Sequence, residues 1–184
     1  MFLLTHIAVP LTIFEFPYIK KKFSFNRFAL ILGSIFPDLI DKTFMFLGLE
    51  SGRGISHSLI FNFLLFISVV LIFKKKSIYL PFVIGISFHL ILDMPELPLF
   101  YPFVIYNFPI LKDPLLFYIH RLFTYPPVII TESLSLVALI IISIKNHLFN
   151  WTNFKIYIFK THKQNDENSS KGVIVKPINK QDSN

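Results

Sequence analysis

The sequence predicts an all-α fold, a polytopic membrane helical bundle with about four to five membrane helices and a disordered polar C-terminal tail. Hydrophobic residues occupy 53% of the 184 positions and 23 residues are Phe. The mean hydropathy is +0.60, which is more apolar than a soluble domain of this size needs to be. We therefore expect a membrane-embedded helical domain over residues 1–159 and, because the composition then turns polar, a disordered tail over 160–184.

Long apolar segments, separated by basic or Pro-rich stretches, give the predicted helices. They cover residues 1–19, 28–38, 54–73, 77–92 and 127–144. Three lysines at 74–76 separate two of these segments and predict a tight helical hairpin. Seven prolines between residues 94 and 127 favour a bent stretch with one short helix near 114–123. Helices of about 16 residues reach only about 24 Å, against a hydrocarbon core of about 30 Å, so the number of crossings is predicted only as a range.

The charge pattern indicates a lipid bilayer as the partner. The net charge of +7 comes from short basic clusters at the ends of apolar segments, with no continuous basic stripe, so a nucleic acid partner is not expected. The positive-inside rule predicts a multi-pass cell-membrane protein whose lysine-rich loops are cytoplasmic. Cysteine is absent, so any metal ion must be held by nitrogen and oxygen ligands.

Ionisable residues at membrane depth are costly and mark functional sites. Most of those in or next to the apolar segments are histidines and carboxylates: His6, Glu15, Asp38, Asp41, His57, His89, Asp93 and Glu132. Apart from Glu15 and Asp41, they lie 11 to 17 residues from a basic end of their segment, or roughly 16 to 26 Å along a helix. If the basic ends share one face, these groups converge on the opposite, outer face. Glu15 is expected to pair with the lysines at 20–22.

The pair His89-x-x-x-Asp93 predicts a metal site, because residues four apart lie on one face of a helix. The hairpin brings His57, from a Gly-containing turn, beside this pair. Asp38 follows a proline on another segment, and His6 lies near the start of the chain. The alternative is a set of hydrogen-bonded polar residues that hold the helices together without a metal.

Three sequence blocks, in order and spacing, resemble the YdjM-like family of membrane-bound metal-dependent hydrolases. They are Phe36-Pro37-Asp38-Leu39, Arg53-Gly54-Ile55-Ser56-His57-Ser58 and His89-Leu90-Ile91-Leu92-Asp93. With His6 as the early histidine of the family, the resemblance covers about residues 1–105. The family is in turn similar to zinc-dependent phospholipases C and fungal zinc nucleases, which implies phosphoester hydrolysis by analogy.

The resemblance and the ligand pattern together predict one or two bound divalent ions, with Zn²⁺ as the first choice. The predicted ligands are His6, Asp38, His57, His89 and Asp93. A bound ion would activate water and polarise a phosphoester, and the membrane setting favours a lipid-like substrate.

Three further residues are predicted to be catalytic. Arg53 would steady the anion, and a carboxylate not bound to metal, Asp41 or Glu132, would act as the base. Asp41 stands one place after the position where the family commonly has a second Asp, a shift of about 100° around a helix. The alternative function is a non-enzymatic, metal-stabilised membrane scaffold or partner-binding protein. Ion transport is disfavoured, because the polar residues are expected at one depth only.

Overall fold

The computed structural model describes residues 3–22, 25–49, 54–95, 97–108, 111 and 113–159, and every regular element in this part of the chain is helical. The all-α prediction is confirmed, while the predicted tail over 160–184 lies outside the described residues. A short 3₁₀ turn, Ile55–His57, precedes the fourth helix. The α-helices are α1 Leu3–Glu15, α2 Pro17–Lys22, α3 Arg27–Phe46, α4 Leu59–Phe73, α5 Lys76–Asp93, α6 Pro114–Thr124, α7 Pro126–Lys145 and α8 Trp151–Phe159.

Two helices of the described chain, α5 and α7, are long and apolar enough to cross a membrane. They have 18 and 20 residues with a mean hydropathy of 1.3 and 2.2. The apolar helices α1 and α4 are shorter, with 13 and 15 residues, so the expectation of about four to five membrane helices stays a prediction.

Helices α3 and α5 cross with their backbones in contact. A Cβ added to Gly33 would overlap the backbone carbonyl of Phe82, and one added to Gly85 would overlap that of Leu30. Only glycine at these two positions permits so close an approach. The crossing lies one helical turn before His89, and therefore fixes the distance from that histidine to α3.

The predicted hairpin between α4 and α5 is confirmed. Lys74 ends α4 in the left-handed conformation, with φ of 51°, and α5 begins only two residues later. Helix α4 buries just Asn62 and Val69, so most of its apolar surface is free to face lipid. The reversal brings the start of α4 next to the end of α5, which is where the predicted ligands of both segments lie.

Helix α3 is longer than the sequence indicated. The apolar segment was predicted to end at Asp38, but the helix passes through Pro37 and continues to Phe46. A proline removes one hydrogen bond of the helix, and neighbouring groups can compensate when it is packed inside a bundle. Pro37 is fully buried, and its carbonyl accepts a hydrogen bond of 2.7 Å from the Ser56 hydroxyl. As a result Asp38 and Asp41 lie on one continuous helix.

The C-terminal part contains the predicted short helix and one that was not predicted. Helix α6, Pro114–Thr124, confirms the expected helix in the Pro-rich region. Helix α8 was not expected, because its nine residues lack a long apolar run. It returns from α7 to the beginning of α3, where Tyr157 and Ile158 join the apolar core formed by α1, α3 and α7.

Candidate metal centre

Four predicted ligands converge at one end of the bundle. Asp38 of α3, His57 of the 3₁₀ turn, and His89 and Asp93 of α5 each offer one ligand atom, and these atoms all lie within 4.8 Å of one another. Asp38 and the two histidines are buried, and the Asp93 side chain is 8% exposed. Residues that are 55 positions apart in sequence thus form one compact cluster of two imidazoles and two carboxylates.

The His57 ring is held by Asp41. Its Nδ1 lies 2.6 Å from the Asp41 carboxylate, and that carboxylate also accepts hydrogen bonds from the backbone amides of Gly54, at 2.6 Å, and Ser56, at 3.3 Å. Asp41 is fully buried. Because a carboxylate only accepts, the Nδ1 of His57 carries the proton and its Nε2 lone pair points into the cluster.

The His89 ring is held by a backbone carbonyl of α3. Its Nδ1 lies 2.8 Å from the carbonyl oxygen of Ser34, one residue after Gly33 at the helix crossing. A carbonyl oxygen can only accept, so the proton of neutral His89 is also on Nδ1. Metal-binding histidines commonly donate their second ring N–H in this way, which fixes the tautomer and the ring orientation.

As a result, the lone pair of His57 Nε2 faces the lone pair of His89 Nε2. The Nε2 atoms of His57 and His89 lie 3.1 Å apart, yet neither carries a proton when both rings are neutral. Tetrahedral Zn²⁺ with Zn–N bonds of 2.0–2.1 Å places two nitrogens about 3.3 Å apart. The spacing fits a shared cation and is unfavourable for two neutral imidazoles without one.

The two carboxylates complete the cluster at a slightly longer range. Asp38 Oδ1 lies 3.9 Å and 4.0 Å from the Nε2 atoms of His57 and His89, and Asp93 Oδ2 lies 4.0 Å and 3.8 Å from them. These distances exceed those of direct hydrogen bonds. They leave room for an ion between the four ligand atoms, with two nitrogen and two oxygen donors, a set that suits Zn²⁺ and related divalent metals.

His6 lies beside the cluster. Its side chain is fully buried on α1 and its ring is 4.2 Å from that of His89, centroid to centroid. The Nε2 atom is 3.3 Å from the second oxygen of Asp93, but neither ring nitrogen has a well-oriented hydrogen-bond partner among the described residues. A buried imidazole without well-oriented partners is expensive, and His6 is therefore a candidate for a fifth ligand or for part of a second site.

The turn that carries His57 is rigidly built. The Ser58 side chain caps α4 by accepting a hydrogen bond from the amide of Phe61 at 3.2 Å. Asn62 then donates to the carbonyls of Ser56 and Ser58 at 2.9 and 2.7 Å. Arg53, predicted to bind an anion here, lies outside the described residues.

Glu132 approaches the start of α1. Its carboxylate accepts hydrogen bonds from the backbone amides of Leu4 and Thr5, both at 3.2 Å, and from the Thr5 hydroxyl. The first amides of a helix have no partner within the helix, so a residue of α7 caps α1 next to His6. The contacts of Asp41 and Glu132 are those of positioning residues, and a catalytic role for either stays a prediction.

Two groups at the cluster were missed at the level of sequence. Lys42 pairs with Asp38 through an i,i+4 salt bridge, a spacing that the sequence alone could have revealed. No sequence pattern predicts the contact with the Ser34 carbonyl, because every residue has a backbone oxygen. Only the close crossing of α3 and α5 directs this oxygen towards His89.

A comparison with protein families matches residues 1–158 of the chain to a family described as YdjM inner membrane protein. No curated protein and no solved structure matches the chain. The family match extends beyond the region of the predicted resemblance and includes α7 and nearly all of α8.

Proposed function

The chain belongs to the YdjM inner membrane protein family, and we propose that it is a membrane-bound hydrolase that uses a divalent metal ion to cleave a phosphoester in a lipid-like substrate. The observation that carries this proposal is the 3.1 Å separation of the His57 and His89 Nε2 atoms, with both Nδ1 atoms already engaged as donors. This arrangement favours a cation between the rings.

Four residues would hold the ion: Asp38, His57, His89 and Asp93. His6 would add a fifth ligand and a third nitrogen. Its Nε2 lies 3.3 Å from Asp93 Oδ1, whereas Asp93 Oδ2 lies 4.0 and 3.8 Å from the Nε2 atoms of His57 and His89. The four-residue cluster would hold one ion, and His6, beside Asp93, would be available as a ligand of a second one. The nitrogen and oxygen donor set supports Zn²⁺ as the first candidate.

A divalent ion in this cluster would supply Lewis acidity and lower the pKa of a bound water. The protein contributes orientation. Asp41 keeps the His57 ring in the tautomer that presents Nε2, and the Ser34 carbonyl does the same for His89. Asp41 and Glu132 accept hydrogen bonds from the backbone, so either would take up a proton from the attacking water only after giving up part of these contacts.

Lys42 supplies a positive charge for an anionic substrate. Its side chain is 25% exposed, whereas Asp38, its partner, is 9% exposed, so the ammonium group stands between the cluster and its surroundings. Phosphate oxygens compete well for an ammonium group. We infer that Lys42 leaves Asp38 and contacts the phosphoryl group when substrate binds. The sequence predicts the same role, binding of the anion, for Arg53.

A direct test combines metal analysis with activity. The full-length protein is purified, its metal content is measured, and hydrolysis is assayed on phosphodiester and phospholipid panels for the wild type, His89→Ala and Asp93→Ala. We expect both variants to lose metal and turnover together, whereas His120→Ala, on an exposed residue of α6, keeps both. Turnover that survives in the metal-free variants would overturn the proposal.

A second candidate is a metal-stabilised scaffold without catalysis. The observation in its favour is burial, because His6 and His89 are 0% exposed and His57 is 1% exposed, which leaves little of the rings for a substrate to reach. The same assay separates the candidates. Metal binding without turnover on any panel member, together with lower stability of His89→Ala, supports the scaffold.

We also propose that the chain is multi-pass, with the cluster near the outer face and the lysine-rich end in the cytoplasm. Because the chain has no cysteine, single cysteines report sidedness cleanly. Met94→Cys replaces an exposed residue next to Asp93, at the cluster end of α5. Lys75→Cys replaces a residue at the opposite end of α5. An impermeant thiol reagent added outside should label only the former, and the reverse pattern would contradict the proposal.

A further inference from the structure

A second polar concavity lies at the other end of the bundle. It has a volume of about 300 Å³, and its lining is formed by residues of α2, α3, the α7–α8 connection and α8: Lys20, Arg27, Asn146, His147, Asn153, Ile156 and Tyr157. We call it the basic pocket. Arg27 and Asp38 are 11 residues apart on α3, or about 16 Å along the helix, so the basic pocket is separate from the metal cluster.

The basic pocket keeps a positive charge after its internal pairing. Glu15 faces two cations: it accepts hydrogen bonds from Lys20 at 2.8 Å and from Arg27 at 2.7 and 3.0 Å. One carboxylate cannot neutralise both. Lys20 has used one of its three ammonium protons in these contacts, and the Arg27 guanidinium, which also donates to the Tyr157 carbonyl at 3.2 Å, has used three of its five.

Further donors surround these two cations. The amide groups of Asn146 and Asn153 each use one N–H on a backbone carbonyl and have one left. The Tyr157 hydroxyl has no hydrogen-bond partner among the described residues, although its side chain is only 6% exposed. Burial, and then the Glu15 carboxylate, raise the pKa of Tyr157 above its usual range, so this hydroxyl remains a donor. The lining is therefore rich in donors and suited to an anion with several oxygens.

Exposed aromatic residues indicate the depth of the basic pocket. Tyr18, Phe149, Trp151 and Phe159 are all more than half exposed at this end of the bundle, and Lys155 lies over the Trp151 ring at 5.2 Å. Aromatic rings interspersed with lysines are typical of the membrane–water interface. The basic pocket thus lies at the level of lipid headgroups, where basic concavities between helices bind anionic lipids.

From these observations we propose that the basic pocket binds the phosphate of an anionic phospholipid headgroup. Lys20 and Arg27 supply the charge, and Asn146, Asn153 and Tyr157 supply neutral donors to the phosphate oxygens. The assignment is independent of the proposed hydrolase, because it uses neither the metal cluster nor its ligands. A zwitterionic headgroup is less suitable, since its own cation would lie near Lys20 and Arg27.

The test compares two aspartate variants of full-length protein. Asn153→Asp adds a negative charge to the lining of the basic pocket without changing side-chain size. Asn150→Asp adds the same charge three residues earlier, where the side chain accepts a hydrogen bond from the Thr152 amide and does not line the basic pocket. Aspartate is equally suitable at such a position before a helix, so Asn150→Asp is the matched control.

Native mass spectrometry in neutral detergent measures binding of phosphatidylglycerol and of phosphatidylcholine with the same acyl chains. We expect the wild type and Asn150→Asp to prefer phosphatidylglycerol by about tenfold, and Asn153→Asp to lose this preference, since a charge-assisted contact is worth about that factor. Equal binding of both lipids by the wild type, or equal losses in both variants, would overturn the proposal. Full displacement of phosphatidylglycerol by inorganic phosphate would also overturn it, in favour of a soluble phosphate ligand.

Discussion

The two ends of the bundle both bury charged side chains, but they satisfy them in different ways. At the basic end, Glu15 meets Lys20 and Arg27 directly, with hydrogen bonds of 2.7 to 3.0 Å between opposite charges. At the other end, the Nε2 atoms of His57 and His89 face each other at 3.1 Å. Carboxylate oxygens lie 3.8 to 4.0 Å from these nitrogens. Opposite charges thus meet directly around Glu15, whereas the two imidazole nitrogens of the metal cluster face each other as acceptors.

We therefore expect changes around Glu15 to alter mainly the stability of the fold, and changes around His57 and His89 to alter mainly metal binding. A buried ion pair that loses one partner leaves an uncompensated charge, so its removal is strongly destabilising. A cluster of hydrogen-bond acceptors is stabilised by the cation that it binds. Its contribution to the stability of the protein therefore depends on the concentration of that cation. Changes at the two ends should therefore affect different measurements.

The largest effect on stability is expected from Arg27→Ala at the basic end. The variant leaves Glu15 with Lys20 alone and removes the contact of the guanidinium with the Tyr157 ring, which it faces at 4.1 Å. Loss of one partner from a buried pair costs about 3–5 kcal/mol. Denaturant titration of the purified protein measures the free energy of unfolding, and metal affinity of the folded fraction should be unchanged.

The control for this variant is Lys155→Ala, which removes an exposed cation from the same end. Its effect should stay within about 0.5 kcal/mol. If Arg27→Ala proves as mild as the control, the Glu15 group does not hold the fold together.

At the metal end, Asp41→Asn should weaken metal binding more than it weakens the fold. The amide is of similar size but lacks the charge that makes Asp41 a strong acceptor for the His57 Nδ1–H. Loss of such a partner lowers metal affinity by about 10–100-fold. A competitive chelator titration measures this change, with Asp113→Asn, on an exposed residue of α6's N-terminus, as the matched control. Unchanged affinity in Asp41→Asn would show that the contact only stabilises the turn.

The smallest effect is expected from Glu132→Gln. Glutamine keeps one acceptor oxygen for the amides at the start of α1 but cannot replace the second, and loss of a helix cap typically costs about 1 kcal/mol. Thermal unfolding should detect the loss, while Ser133→Ala, on the exposed side of α7, should leave stability unchanged. A loss of metal much larger than the loss of stability would instead assign Glu132 to the cluster.

The contrast also explains how much the sequence could predict. The hairpin at residues 74–76 and the His89-x-x-x-Asp93 spacing are local patterns, and they were sufficient to bring His57, His89 and Asp93 together. The pairing of Glu15 with Lys20 followed from their proximity in the chain and is confirmed. These features depend on periodicity and short-range charge, which sequence reports directly.

What sequence could not predict depends on long-range packing. Glu132 meets α1 from 128 positions away, and only the packing of α7 against α1 reveals that it caps a helix. Helix α3 continues past Pro37, which lies fully buried within the bundle, and such prolines are tolerated in the helices of membrane bundles. Helix α8 is short, and its place beside Arg27 is fixed by Tyr157 and the apolar core rather than by an amphipathic pattern of its own.

The most direct test of the account is zinc binding by purified full-length protein, followed by X-ray absorption spectroscopy of the bound ion. The wild type and His120→Gln should bind zinc with imidazole nitrogens and carboxylate oxygens at about 2.0–2.1 Å, and the double variant His57→Gln/His89→Gln should not. Equal zinc binding by the wild type and the double variant, or no binding by either, would contradict the assignment of the cluster as a metal centre.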